Sequence, residues 1–118
     1  MAYDEYTAER IRSCFRELRT EYVERKMFGG LTFFVDEKMC CGVMYHKKRG
    51  TDYVMGRVGE ETATRLLGQE GYQPMDFAGR AMKNYVFVTP DGYDAESELL
   101  EIVRLCVAFN PLAKRSKK

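Results

Sequence analysis

The chain has 118 residues, 45% of them hydrophobic and 31% charged, with a formal net charge of +1. Such a length supports one domain, which hides roughly two thirds of the surface its unfolded chain would expose. No apolar run approaches ~18 residues, so the sequence excludes a transmembrane helix, and the acidic opening Met1-Ala2-Tyr3-Asp4-Glu5 lacks the basic start and apolar core of a secretory signal; a cytoplasmic location is expected. Lys114, Arg115, Lys117 and Lys118 are four of the 19 basic groups, and the 15 that remain face 18 acidic ones, which leaves a body of about −3. A nucleic-acid-binding domain usually carries a pronounced basic face, and this body does not announce one.

Asp4 reads as the cap of a first helix in which Ala8, Ile11, Phe15 and Leu18 form the inward face and Arg10, Arg12, Arg16 and Glu17 the outward one. From 22 to 27 the pattern shifts toward period two. Gly29-Gly30 then supplies a hairpin connection in which both glycines take positive φ. A second strand spans 31–35, Asp36-Glu37 makes a polar turn, and a third strand spans 38–45, completing a β-meander. On the third strand Met39, Cys41, Val43 and Tyr45 alternate with Cys40, Gly42 and Met44.

Residues 46–52 carry charge and a glycine and read as an exposed loop before a fourth strand at 53–58. Glu60 and Glu61 suit the first turn of a short helix that turns Ala63, Leu66 and Leu67 inward and closes at Gly68 and Gly71. An extended piece at 72–77 and an apolar strand at 84–88 follow, with turn chemistry at Thr89-Pro90-Asp91-Gly92. Asp94 caps a last helix whose stripe is Leu99, Leu100, Val103, Cys106 and Val107, and Pro111 ends it near Phe109. The fold class is α+β, a two-layer sandwich on a mainly antiparallel sheet, in the order α-β-β-β-β-α-(β)-β-α.

Strand alternation sends the side chains of the adjacent Cys40 and Cys41 to opposite faces, so they cannot share one zinc. No C-x-x-C pair exists and His46 is the sole histidine. No metal, cofactor or disulfide is expected, and the four cysteines read as free thiols of a reduced compartment, with a redox role of Cys40 and Cys41 as the alternative. A thiol nucleophile would need His46, which six residues of strand hold about 20 Å from Cys40. The serines have no G-x-S-x-G context and the glycines no phosphate-loop spacing, so catalysis and nucleotide binding are not expected.

The segments Lys26-Met27-Phe28-Gly29-Gly30-Leu31, Met39-Cys40-Cys41-Gly42-Val43, Arg57-Val58-Gly59 and Phe77-Ala78-Gly79-Arg80-Ala81-Met82-Lys83 resemble the signature of the TfoX/Sxy N-terminal domain. The likeness runs from the opening residues to the last helix. It implies a stand-alone N-terminal-type domain over 1–110, without the family's C-terminal domain, followed by a basic tail over 111–118. It also implies a fold similar to secretion chaperones. The family is associated with bacterial genetic competence, and its longer members act as transcriptional coactivators beside the cyclic-AMP receptor protein. Ala81 stands where the family commonly has proline, and the 46–52 loop is longer and more basic than the pattern.

Two function classes follow. The first is a non-enzymatic regulatory or adaptor domain that binds a protein, such as a transcription factor, through Met27, Phe28, Gly29, Gly30, Arg57, Arg80, Met82 and Lys83. Arg57, Arg80 and Lys83 are expected to converge on a carboxylate or phosphate. The second is a DNA-associated module that uses Lys47, Lys48, Arg49, Lys114 and Arg115. An uncovered strand edge also permits pairing with a second copy, a homodimer.

Overall fold

The computed structural model describes residues 3–27, 29–47, 50–77 and 80–113, excluding the side chains of Asp76, Phe77, Arg80 and Ala81. In chain order the elements are α1 (Glu5–Glu17), β1 (Val23–Met27), β2 (Gly30–Val35), β3 (Lys38–His46), β4 (Thr51–Arg57), α2 (Glu60–Leu66), β5 (Tyr72–Phe77), β6 (Arg80–Val88), α3 (Pro90–Tyr93) and α4 (Glu96–Phe109), with a 3₁₀ turn at Asn110–Leu112. The strands form one six-stranded antiparallel sheet in the order β1-β2-β3-β4-β6-β5. This is the α+β architecture the sequence implies.

Residue chemistry accounts for the first helix directly. The Asp4 side chain accepts from the Tyr6 N–H and the Thr7 hydroxyl, which satisfies the start of α1. Its face of Ala8, Ile11, Cys14 and Phe15 is buried. Phe15 stacks on Tyr22 at 4.8 Å between centroids and meets Phe33 at 5.7 Å. Arg12 closes the opposite flank by holding Glu24 of β1 with two nitrogens, at 2.5 and 3.1 Å, and Glu5 at 2.6 Å. The hydrogen bond to Glu24, followed by that to Glu5, pushes the Arg12 pKa up. Arg10 donates to the carbonyls of Tyr93 and Asp94, which ties α1 to α3.

Several local expectations give way to tertiary context. Gly29 has φ +72°, as a hairpin demands, but Gly30 is needed for room, because a Cβ there would lie 2.2 Å from the Val43 carbonyl oxygen. Strand β3 continues through His46 and β4 begins at Thr51, so His46, Thr51 and Asp52 are strand residues rather than parts of the expected loop. Leu67, expected inside, is exposed at the end of α2. Strand β6 starts at Arg80, four residues early, because pairing with β5 extends both. Residues 90–93 form a helical turn rather than a simple reverse turn, and Ala95 occupies the N-cap of α4 in place of Asp94. Ile102 joins Leu99, Val103 and Cys106 as the buried stripe of α4, whereas Leu100 and Val107 are only partly buried.

The helices cover one face of the sheet. Their core joins α1, α2 and α4 to Leu31, Phe33, Val43, Val54, Val86 and Val88. Each fully buried aliphatic or phenyl side chain contributes about 1.5–3 kcal/mol. The second cluster comprises Tyr53, Met55, Met75 and Phe87, edged by Met39, Met44, Met82 and Tyr85, and every member comes from a strand.

Candidate functional site

Register decides which candidates share a face, since residues paired across antiparallel strands project to the same side. Met27 pairs with Gly30, Gly30 with Met44, and Met44 with Tyr53. Thr32, Gly42, Met55 and Phe87 form the next row, and Arg57 pairs with Tyr85. All of these lie on the strand-only face. His46 joins it with its ring 4.7 Å from Tyr53 and 6.2 Å from Phe87. The guanidinium of Arg57 lies over the Tyr85 ring at 5.5 Å, and that of Arg25 over Phe34 at 5.1 Å. Five methionines line or edge the cluster and Met27 adds a sixth by register, so six of the chain's seven methionines meet on this side. The register brings no Asp or Glu to it among the described residues.

The candidates therefore share a face without forming one point. Met27, Gly29 and Gly30 lie at the β1–β2 hairpin, beside the β3–β4 hairpin that carries Lys47. Arg57 is at the far end of β4, beside Tyr85, while Met82 packs against the methionine cluster and Lys83 is exposed on β6. Phe28, Lys48, Arg49, Lys114 and Arg115 lie outside the described residues, as does the Arg80 side chain, so the expected convergence of Arg57, Arg80 and Lys83 is not among the described contacts. Sequence reading passed over Met44, Met55, Met75, Phe87 and Arg25. Their signal was the alternation Tyr53-Met55-Arg57 and Tyr85-Phe87, which marks strands apolar on both sides.

Cys40 and Cys41 correct the expectation of opposite faces. Phe33 of β2 pairs with Cys41 while the next residue, Phe34, pairs with Met39, so β3 carries an extra residue at Cys40. A bulge of this kind turns both of its residues to the same side. Both thiols consequently enter the helix-covered core, and Met39 leaves the Cys41-Val43 face for the other. Cys106 of α4 reaches the same spot, because Gly56, the cross-strand partner of Cys41, leaves space that a Cβ would fill to 3.0 Å from the Cys106 sulfur. The neighbouring Cys106 and Cys41 thiols, with the positive charge of Arg57, lower the pKa of Cys40. Proximity to Cys40, with burial, pushes Cys41 and Cys106 up. Cys14, in the same core, is pushed up to about 11, mainly by burial. The bulge also places Cys40 and the imidazole of His46 on opposite faces. Among the described residues, no group of three or more His, Cys, Asp or Glu side chains is placed to hold a metal ion.

One further concavity, of about 470 Å³, lies between Tyr3, Asp4, Glu5, Tyr45, Thr51, Asp52 and Tyr93. Its floor is structural: the Asp4 N–H donates to the Asp52 carboxylate at 2.5 Å and the Tyr93 hydroxyl to the Asp52 carbonyl at 3.0 Å. Burial raises the Asp52 pKa.

Together these features define a small α+β domain with helices on one side of an antiparallel sheet and a methionine-rich face on the other. The family model described as the TfoX N-terminal domain matches residues 14–110, and the chain belongs to that family. No curated protein and no solved structure matches it. No helix among the described residues is long and apolar enough to cross a membrane.

Proposed function

We propose that this domain is a cytoplasmic, non-catalytic regulatory adaptor that docks a protein segment on the strand-only face of its sheet, in transcription regulation of the competence type that the family likeness implies. The observation that carries the reading is the make-up of that face. Five methionines pack with Tyr53, Phe87 and Tyr85, Met27 joins their face by register, and the guanidinium groups of Arg25 and Arg57 lie over Phe34 and Tyr85. Methionine is unbranched and polarizable, so such a surface re-packs around a partner at little cost. Arginine selects carboxylates, through two parallel hydrogen bonds where geometry permits. The occupant is thus an apolar segment bearing Asp or Glu, and its contacts extend from the Met27–Gly30 corner to Arg57 and Met82.

The test is affinity capture from the host at moderate salt with wild type, Met44→Glu and Met82→Glu, each first verified as folded by circular dichroism. A partner retained by wild type and lost by both variants supports the reading. Equal retention by all three contradicts it. DNA binding is separated by salt, because a complex held by phosphate contacts weakens steeply between about 50 and 200 mM.

A further inference from the structure

Sulfur is divided between the two faces of the sheet. All four cysteines lie in the helix-covered core with at most 4% exposure, while six of the seven methionines lie on the strand-only face. The methionines are themselves graded. Met55 and Met75 are 2% and 3% exposed, and the Met55 methyl fills the space above Gly42, 3.0 Å from where a Cβ would stand. Met39, Met44 and Met82 are only partly buried around them, and Met27 is partly buried at the end of the row formed by Gly30, Met44 and Tyr53. The Met39 sulfur stands apart from the other rim sulfurs, since it accepts a hydrogen bond from the Tyr85 hydroxyl at 3.9 Å.

We propose that Met27, Met44 and Met82 are modification sites at which hydrogen peroxide forms methionine sulfoxide, and that this oxidation switches off docking on the strand-only face. The switch rests on the docking function proposed above; the modification does not. A lone pair of the thioether sulfur attacks one peroxide oxygen, the S–O bond forms and the O–O bond breaks. The second oxygen leaves as hydroxide and takes the proton of the transferred one to become water. The sulfur is oxidised by two electrons and the peroxide is reduced, so one thioether and one peroxide give one sulfoxide and one water. A methionine sulfoxide reductase reverses the step, its two thiols supplying two electrons and two protons, so that the oxygen leaves as water and the thiols become a disulfide.

Position decides which sulfurs react. A small oxidant reaches the rim side chains without any opening of the core, whereas the thiols are covered by α1, α2 and α4. A thioether also has no proton to lose, so it reacts without the neighbouring base or positive charge that activates a thiol. Met39 follows more slowly, because the Tyr85 hydroxyl engages a lone pair of its sulfur. Met55 and Met75 are screened by their neighbours. The product changes the face in kind: an adaptable apolar side chain becomes a polar one with a strong acceptor oxygen. An apolar segment pressed against it would bury that acceptor without a donor, which is costly. The helix-covered core, which contains none of these methionines, keeps the domain folded.

The folded, reduced protein is treated with hydrogen peroxide and read by peptide mass and circular dichroism. The expected result is a gain of about 16 Da, one oxygen atom, first on the peptides of Met27, Met44 and Met82 and later on that of Met39. Met55, Met75 and the four cysteines stay unmodified and the fold is retained. The partner captured by untreated protein should bind the oxidised protein at least about tenfold more weakly, and sulfoxide reductases acting on both epimers should restore it. The variant combining Met27→Leu, Met44→Leu and Met82→Leu keeps the face apolar without those sulfurs, and should hold the partner equally before and after peroxide. Should that variant not fold, the wild-type comparison decides alone. Rim methionines left unmodified, Met55 and Met75 oxidised at the same rate, or thiols oxidised first would overturn the modification. A partner held as tightly by oxidised wild type, or lost as readily by the oxidised leucine variant, would overturn the switch. Wild type that captures no partner before treatment would contradict docking and the switch with it, while the mass map still decides the modification.

Discussion

Beneath the helices, the sheet presents Phe33, Val43, Val54, Val86 and Val88 to Ile11, Phe15, Leu99 and Ile102, all essentially without exposure. On its other side the same strands present Met44, Tyr53, Met55, Tyr85 and Phe87, covered by one another and by neighbouring strands. The first surface uses branched and aromatic side chains with few rotamers, which lock a helix in one place. The second uses side chains that adapt. The difference separates a face built for stability from the one to which the proposed function assigns a partner, and it can be attacked residue by residue.

The largest effect is expected on the covered face. Phe15→Ala removes the ring that packs on both Tyr22 and Phe33 and should cost ~3–5 kcal/mol in urea unfolding, as a phenyl cavity in a tight core does. Next comes Gly30→Ala, whose new Cβ would press on the Val43 carbonyl, a backbone atom that cannot swing aside. Its expected cost is ~1–3 kcal/mol, read from the same denaturation curves. The rim of the open face should respond differently. Met44→Glu and Met82→Glu should lower stability by no more than ~1 kcal/mol, because both side chains are only partly buried. Partner affinity should nevertheless fall at least tenfold, about 1.4 kcal/mol. A stability loss as large as that of Phe15→Ala would erase the distinction between the faces.

Two smaller effects sharpen the comparison at the covered face's edge. Asp4→Ala removes the cap of α1 and should cost ~1 kcal/mol, measured by thermal unfolding. Asp52 supplies a pH signature. Its carboxyl is raised above the ordinary value of 3.8 by burial, so the folded state favours the protonated form. The stability this group contributes is present below its unfolded value and is lost as pH rises through the folded one. Asp52→Asn should therefore flatten the stability profile just above pH 3.8. An unchanged slope in that variant would assign the profile to other carboxyls.

Much of the fold was legible because local signals agreed with the global arrangement. The capped α1 stripe, the Asp36-Glu37 hairpin and the order of elements are all written in periodicity and turn chemistry. The α4 start was not legible, because Asp94 caps well in isolation but belongs to the preceding turn in the folded chain. Nor was the thiol cluster, since strict alternation assigns Cys40 and Cys41 to opposite sides and only pairing with β2 reveals the extra residue. At the candidate site, Met27, Gly30, Arg57 and Met82 were visible as motif residues. Their common face was not, because it depends on a register spanning five strands.

The central claim is that the strand-only face receives the partner while the helix-covered face holds the fold. Methyl NMR on methionine-labelled protein, recorded with and without the captured partner, examines both sides of it at once. With isoleucine and leucine methyls labelled in the same sample, binding should shift or broaden the signals of Met27, Met44 and Met82 and leave those of Ile11, Leu99 and Ile102 in place. Methionine signals unmoved in a saturated complex would contradict the account.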